Sequence, residues 1–81
     1  MNSYSTKGTC ARRIYFDIEN DIIKRVEFEG GCSGNTQGIA SLVTGMNVHD
    51  VIDKLKGIKC GFKSTSCPDQ LAKALKEYIG E

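Results

Sequence analysis

The sequence changes its hydrophobic period once, and that change limits the folds open to it. From Arg12 to Glu19 apolar and polar residues alternate, with Ile14, Phe16 and Ile18 on one face and Tyr15, Asp17 and Glu19 on the other. This is the pattern of a half-buried strand. Asn20-Asp21 supply turn chemistry, and a second alternating run follows, with Ile22, Val26 and Phe28 inward, Arg25, Glu27 and Glu29 outward and Lys24 off the pattern. The two runs predict a hairpin over residues 12–29. A shorter strand from about Ser3 to Lys7 is expected along one edge, since an isolated hairpin is hardly stable in water.

Beyond the stretch G-G-C-S-G-N the period becomes helical. Ile39, Leu42, Val43 and Met46 fall at i, i+3, i+4 and i+7, which predicts a helix from about Thr36 to Thr44 that stops at Gly45. Asn47 caps a second helix with a stripe of Val48, Val51, Ile52 and Leu55, ended by Gly57. Ser66 and Asp69 form an S-x-x-D start for a third, with Pro68 in its first turn and Leu71, Leu75, Tyr78 and Ile79 as its buried stripe. Residues 58–65 read as a loop or short extended linker. Strands first and helices after predict an α+β domain, with three helices packed on one face of a small antiparallel sheet.

Eighty-one residues make one domain, 1–81, because a chain this short buries only about 60% of its unfolded surface and cannot support two cores. Domains of this size commonly supplement a thin core with disulfides or a metal, and the four cysteines supply enough sulfur for either. The N-terminus, M-N-S-Y-S-T-K-G-T-C, has no apolar stretch of the kind a signal peptide needs, and no segment approaches membrane-spanning length. The expected compartment is therefore the cytoplasm, where thiols stay reduced and metal or thiol chemistry outweighs structural disulfides. Eleven basic residues are scattered among ten acidic ones for a net charge of +1, which argues against a dedicated nucleic-acid binder.

All four cysteines fall at predicted element boundaries. Cys10 precedes the first hairpin strand, Cys32 follows the second, Cys60 lies after helix two and Cys67 opens helix three. Cysteines acting as small hydrophobes usually occupy stripe positions, whereas converging ligands or reactive thiols belong at element ends. Gly8, Gly31, Gly34 and Gly61 lie within two residues of Cys10, Cys32 or Cys60, and a residue without Cβ lets backbone N–H groups approach a sulfur. Cys67 is expected at the positive end of a helix dipole, a position that suits a ligand or reactive thiol.

Successive cysteines are separated by 21, 27 and 6 residues, so there is no C-x-x-C knuckle, and four unrelated cysteines remain the plain alternative. His49 reads as a solvated histidine on the polar side of helix two or a replacement ligand, and Arg12 and Arg13 as exposed charges or contacts to an acidic partner or a phosphate. G-G-C-S-G-N-T-Q-G lacks the G-K-[ST] ending of a phosphate-binding loop, and no Ser/His/Asp group or carboxylate pair stands out.

Residues 65–69 read Thr-Ser-Cys-Pro-Asp. With G-T-C at 8–10, E-G-G-C-S-G-N-T-Q-G-I at 29–39, C-G-F at 60–62 and C-P-D-Q-L-A at 67–72, the chain resembles the stand-alone TSCPD domains over nearly its whole length. Long members of that family are cobalamin-dependent ribonucleotide reductases carrying this domain at the C-terminus. The resemblance implies a link to deoxyribonucleotide and DNA synthesis, with Cys10, Cys32, Cys60 and Cys67 as a metal ligand set, for zinc first and an iron–sulfur cluster second. It also implies a ribonucleotide reductase or other nucleotide enzyme as partner. Reductase catalysis itself is not expected, because 81 residues cannot hold the catalytic barrel and nucleotide site. In layout the chain is similar to iron–sulfur scaffolds of the NifU and IscU type, with Cys32 and Cys67 at matching positions, and such likeness does not carry function. A thiol/disulfide carrier using Cys60 and Cys67, or Cys32 and Cys67, is the alternative to a metal-binding accessory domain.

Overall fold

A computed structural model describes residues 2–9, 11–30, 33–59, 61 and 65–80. The order is β1 (Asn2–Ser5), β2 (Ala11–Glu19), β3 (Ile22–Gly30), α1 (Ser33–Val43), α2 (Val48–Leu55) and α3 (Cys67–Ile79). The strands form one antiparallel sheet in the order β1-β2-β3. Asn20 and Asp21 both take positive φ, 53° and 63°, which gives a two-residue connection the twist that the flanking strands need.

The helices cover one face of this sheet, α1 against β3 and α2 against α3, with α3 reaching β2. Ile14, Phe16, Ile23, Val26, Val43, Val48, Val51, Ile52, Leu71, Ala74 and Leu75 share one core, so the α+β expectation holds. Asn47 caps α2 as expected, its side chain accepting from the His49 N–H at 2.8 Å. Gly45 ends α1 with φ +91°, which turns its N–H onto Ile23 O at 2.8 Å and joins the helix to the sheet. Among the described residues no helix is long and apolar enough to cross a membrane.

Three details differ from the pattern reading. In β3 it is Ile23, fully buried, that points into the core, while Ile22 is half-buried. The pairing skips one residue, Asp17 facing Arg25 but Ile18 facing Ile23, so Lys24 sits in a bulge. The bulge shifts the face of everything before it, and a strict period of two does not foresee that. In α1, which starts at Ser33 rather than Thr36, the buried line is Thr36 and Val43 with Ala40 half-buried, and Leu42 is 77% exposed. At 100° per residue, Leu42 lies about 120° from the centre of that line. In α3 Leu71 and Leu75 are buried, but Tyr78 is 46% exposed and meets the core only at its edge, its ring 5.8 Å from that of Phe16.

Candidate functional site

The chemistry concentrates where α3 begins. Ser66 is extended (φ −152°, ψ 172°) and caps the helix, its Oγ accepting the Asp69 N–H at 3.2 Å while its carbonyl takes the first helical bond from Gln70 N–H at 2.8 Å. The same Oγ donates to Ile58 O at 2.6 Å, which fastens the linker after α2 to the cap. Cys67 is the first helical residue, where a missing intrahelical partner is normal, and is 9% exposed. Pro68, next in the first turn, has no N–H to leave unpaired.

Around this cap lies a buried polar cluster. Asp69, 5% exposed, accepts from Gly57 N–H on Oδ1 at 2.7 Å and from the Thr65 hydroxyl on Oδ2, with Lys73 Nζ 3.4 Å away. Thr65 Oγ1 in turn accepts from Gln70 Nε2 at 3.0 Å, and Gln70 Oε1 accepts from Lys7 N–H at 3.2 Å. Burial alone would push the Asp69 carboxyl up, but the hydrogen bonds from Thr65 and Gly57 and the charge of Lys73 outweigh it and hold the group below the usual carboxylate value. Among the described residues every buried side-chain nitrogen and oxygen has a partner. With their donors and acceptors engaged in this way, Thr65, Ser66, Asp69 and Gln70 are placed to hold chain segments together rather than to act on a substrate.

The segments they hold are those that carry cysteines. Cys67 is described; Cys10, Cys32 and Cys60 lie outside the described residues. Their described neighbours nevertheless converge. Lys7, just before Gly8-Thr9-Cys10, is bonded to Gln70, and Gly8 passes close to Thr65: a Cβ on Gly8, whose φ is +77°, would come 3.1 Å from Thr65 Cγ2. Ala11 is the register partner of Gly30, two residues before Cys32. Gly57 and Ile58, shortly before Cys60, bond to Asp69 and Ser66. The β1–β2 connection is closed as well, since the Thr6 N–H bonds Arg12 O at 3.2 Å and the Thr6 and Thr9 hydroxyls both donate to Ala11 O.

Among the described residues no three His, Cys, Asp or Glu side chains gather as a metal would need. His49 is exposed on α2, and the exposed Arg12 faces Glu29 at 3.8 Å. Sequence reasoning marked Ser66, Cys67, Pro68 and Asp69 as a helix start and quoted Thr65 and Gln70 only within motifs; it missed the burial and bridging role of those two and the use of Asp69 across the fold. The available signal was an unbroken polar run, Lys63-Ser64-Thr65-Ser66, before an amphipathic helix. No periodicity reports that Thr65 and Ser66 within it are buried.

No curated protein and no solved structure matches this chain. The family model described as the TSCPD domain matches residues 2–79, nearly the whole length, and it spans both the pentapeptide and the segments that the pentapeptide fastens. By that match the chain belongs to the TSCPD domain family.

Proposed function

We propose that this chain is a small structural metal-binding domain of the cytoplasm, in which the thiolates of Cys10, Cys32, Cys60 and Cys67 hold one zinc ion. The observation that supports this reading is the convergence of the described neighbours of Cys10, Cys32 and Cys60 (Lys7, Ala11, Gly30, Gly57 and Ile58) on one another and on the start of α3, through Gln70, Asp69 and Ser66 and through the Ala11–Gly30 pairing. Four soft sulfur donors suit zinc. When bound, zinc would supply cross-linking between hairpin, linker and α3, and its binding energy would add to folding. The burial of Cys67 favours a ligand over an exchange thiol, which must be accessible to a partner's disulfide.

Such a domain would act by docking, and the partner proposed, on the resemblance to long reductases that carry this domain, is a nucleotide-reducing enzyme. The test is native mass spectrometry with elemental analysis of anaerobically purified protein, followed by melting with and without a strong chelator. One zinc per chain, removed only with loss of tertiary structure, is the expected result. Two outcomes would overturn it: a brown, iron-containing sample would mean a cluster, and a metal-free folded chain with four alkylatable thiols would mean redox delivery or a plain interaction domain.

A further inference from the structure

The Lys7 N–H and the Gly57 N–H belong to different connections of the fold, one before β2 and one after α2, yet both end on the same three side chains. Lys7 N–H donates to Gln70 Oε1 at 3.2 Å, Gln70 Nε2 to Thr65 Oγ1 at 3.0 Å, the Thr65 hydroxyl to Asp69 Oδ2, and Gly57 N–H to Asp69 Oδ1 at 2.7 Å. Lys7 and Gly57 are exposed residues, whereas Gln70, Thr65 and Asp69 are buried, so water has little access to replace a link inside the path. The direction of every bond on it is forced. A backbone N–H only donates, and there is one at each end. A hydroxyl and a primary amide both give and take, so each passes a direction along without reversing it. A path with donors at both ends therefore needs one member that only accepts, and the Asp69 carboxylate is that member. Thr65 must then donate to Oδ2, its oxygen is left to accept from the Gln70 NH₂, and the Gln70 carbonyl is turned toward Lys7. Lys73 Nζ, 3.4 Å from Oδ2 and half in solvent, adds a cation beside the same acceptor.

We propose that Gln70, Thr65 and Asp69 act as a hydrogen-bond relay that couples the β1–β2 connection to the linker after α2, so that loosening one end loosens the other. Hydrogen bonds in series polarise one another, and a buried member that loses its partner no longer orients the next. Thr65 is the link on which both halves depend, since it alone touches both Gln70 and Asp69 along the path. Its methyl group lies close to Gly8, where a Cβ would come 3.1 Å from Thr65 Cγ2, and its hydroxyl faces Asp69. The bond from Ser66 Oγ to Ile58 O holds the same linker by a route outside the relay, so the coupling is read at the Gly57 N–H itself. The relay joins the chain before Cys10 to the chain before Cys60. It needs no metal, and it stands or falls separately from the zinc reading.

The experiment is amide hydrogen exchange followed by NMR on the full chain at neutral pH, with wild type, Thr65→Val, Thr65→Ser and Gln70→Leu all in the same metal state. Thr65→Val keeps the shape of the side chain and removes only the hydroxyl, which bonds neither backbone end directly. It should speed exchange at both Lys7 and Gly57 by roughly 3–10-fold, the equivalent of one ordinary hydrogen bond. Thr65→Ser keeps the hydroxyl and should leave both amides near their wild-type rates. Gln70→Leu frees Lys7 directly, so its test is at the far end, where Gly57 should also exchange faster. Two neighbouring amides report general loosening and should hold their rates: Thr6 N–H, bonded to Arg12 O in the same connection as Lys7, and Lys56 N–H, bonded to Ile52 O beside Gly57. A Thr65→Val chain in which Lys7 and Gly57 change no more than those two amides overturns the relay. So does a Gln70→Leu chain with Gly57 unchanged, a result that stands even where Thr65→Val is too unstable to be read. A Thr65→Ser chain as loosened as Thr65→Val would assign the effect to the methyl group against Gly8 and likewise overturn it.

Discussion

Asp69→Asn removes one charge and changes one atom, yet it should rank among the costlier polar substitutions in this domain. The carboxylate accepts on both oxygens, from Gly57 N–H and from the Thr65 hydroxyl. An amide can keep only one of these. With its oxygen toward Gly57, its NH₂ faces Thr65 Oγ1, which already accepts from Gln70 Nε2, so the threonine proton loses its acceptor. Flipped, the NH₂ faces the Gly57 N–H. Either way a donor loses its acceptor, the buried Thr65 hydroxyl in the first case and the part-buried Gly57 N–H in the second, at about 1–3 kcal/mol, while the Lys73 pair, half in solvent, adds little. A net cost of about 2 kcal/mol corresponds in a domain of this size to a Tm lower by roughly 8–16 °C.

The pH dependence follows from the direction of the shift. The folded carboxyl titrates below its ordinary 3.8, so its contribution is complete well above that value and fades as pH falls through the lower folded value, where a protonated Asp69 resembles the amide. Urea unfolding at pH 7 and at steps toward acid, with wild type and variant in the same metal state, measures the gap between them. The gap should be full at pH 7 and close only below the ordinary carboxylate value. A variant within about 0.5 kcal/mol of wild type at pH 7, the range of an inert surface change, would refute the reasoning.

Other positions give sharper contrasts. Gly8→Ala should destabilise by about 1–2 kcal/mol in thermal melts, because a side chain at φ +77° is strained and its Cβ would crowd Thr65 Cγ2. Ile23→Ala should cost about 2–5 kcal/mol in urea titrations and Ile22→Ala distinctly less, reversing the order that simple alternation expects. Leu42→Ala should change stability by no more than about 0.5 kcal/mol, against roughly 2 kcal/mol for its neighbour Val43→Ala.

These contrasts mark where sequence and structure part. The hairpin, the Asn47 and Ser66 caps and the Gly45 stop were legible because each rests on a local rule: alternation, a side chain reaching its own helix, a glycine able to take positive φ. The bulge at Lys24 was not legible, because an inserted residue is chosen by the partner strand and leaves only one residue off the pattern. Leu42 was misplaced for a related reason. Two lines of spacing, through Leu42 or through Thr36 and Ala40, fit α1 about equally well, and burying Thr36 decides between them. At the candidate site the helix start could be read, but its partners Lys7 and Gly57 could not. They lie 63 and 12 residues from the side chains that hold them, and backbone donors look alike in any sequence.

The same distances bear on the proposed metal. A zinc ion bound by segments far apart in sequence must overcome the entropy of collecting them, unless the fold has already done so. Asp69, Gln70 and Ser66 tie Lys7, Gly57 and Ile58, neighbours of Cys10 and Cys60, to the start of α3, and the Ala11–Gly30 pairing brings together the neighbours of Cys10 and Cys32. If that is their contribution, Asp69→Asn should weaken zinc binding as well as the fold, by the roughly 10–100-fold that loss of an outer-shell partner typically brings. Zinc should reciprocally recover part of the variant's stability, since coupling between two equilibria runs both ways. Competition titrations against a chelator of known affinity, at a temperature where wild type and variant are both folded, separate the two roles. An unchanged zinc affinity beside a lowered Tm would confine the buried cluster to holding up the fold. A parallel loss of both would make the pentapeptide's threonine, serine and aspartate the scaffold on which its cysteine binds.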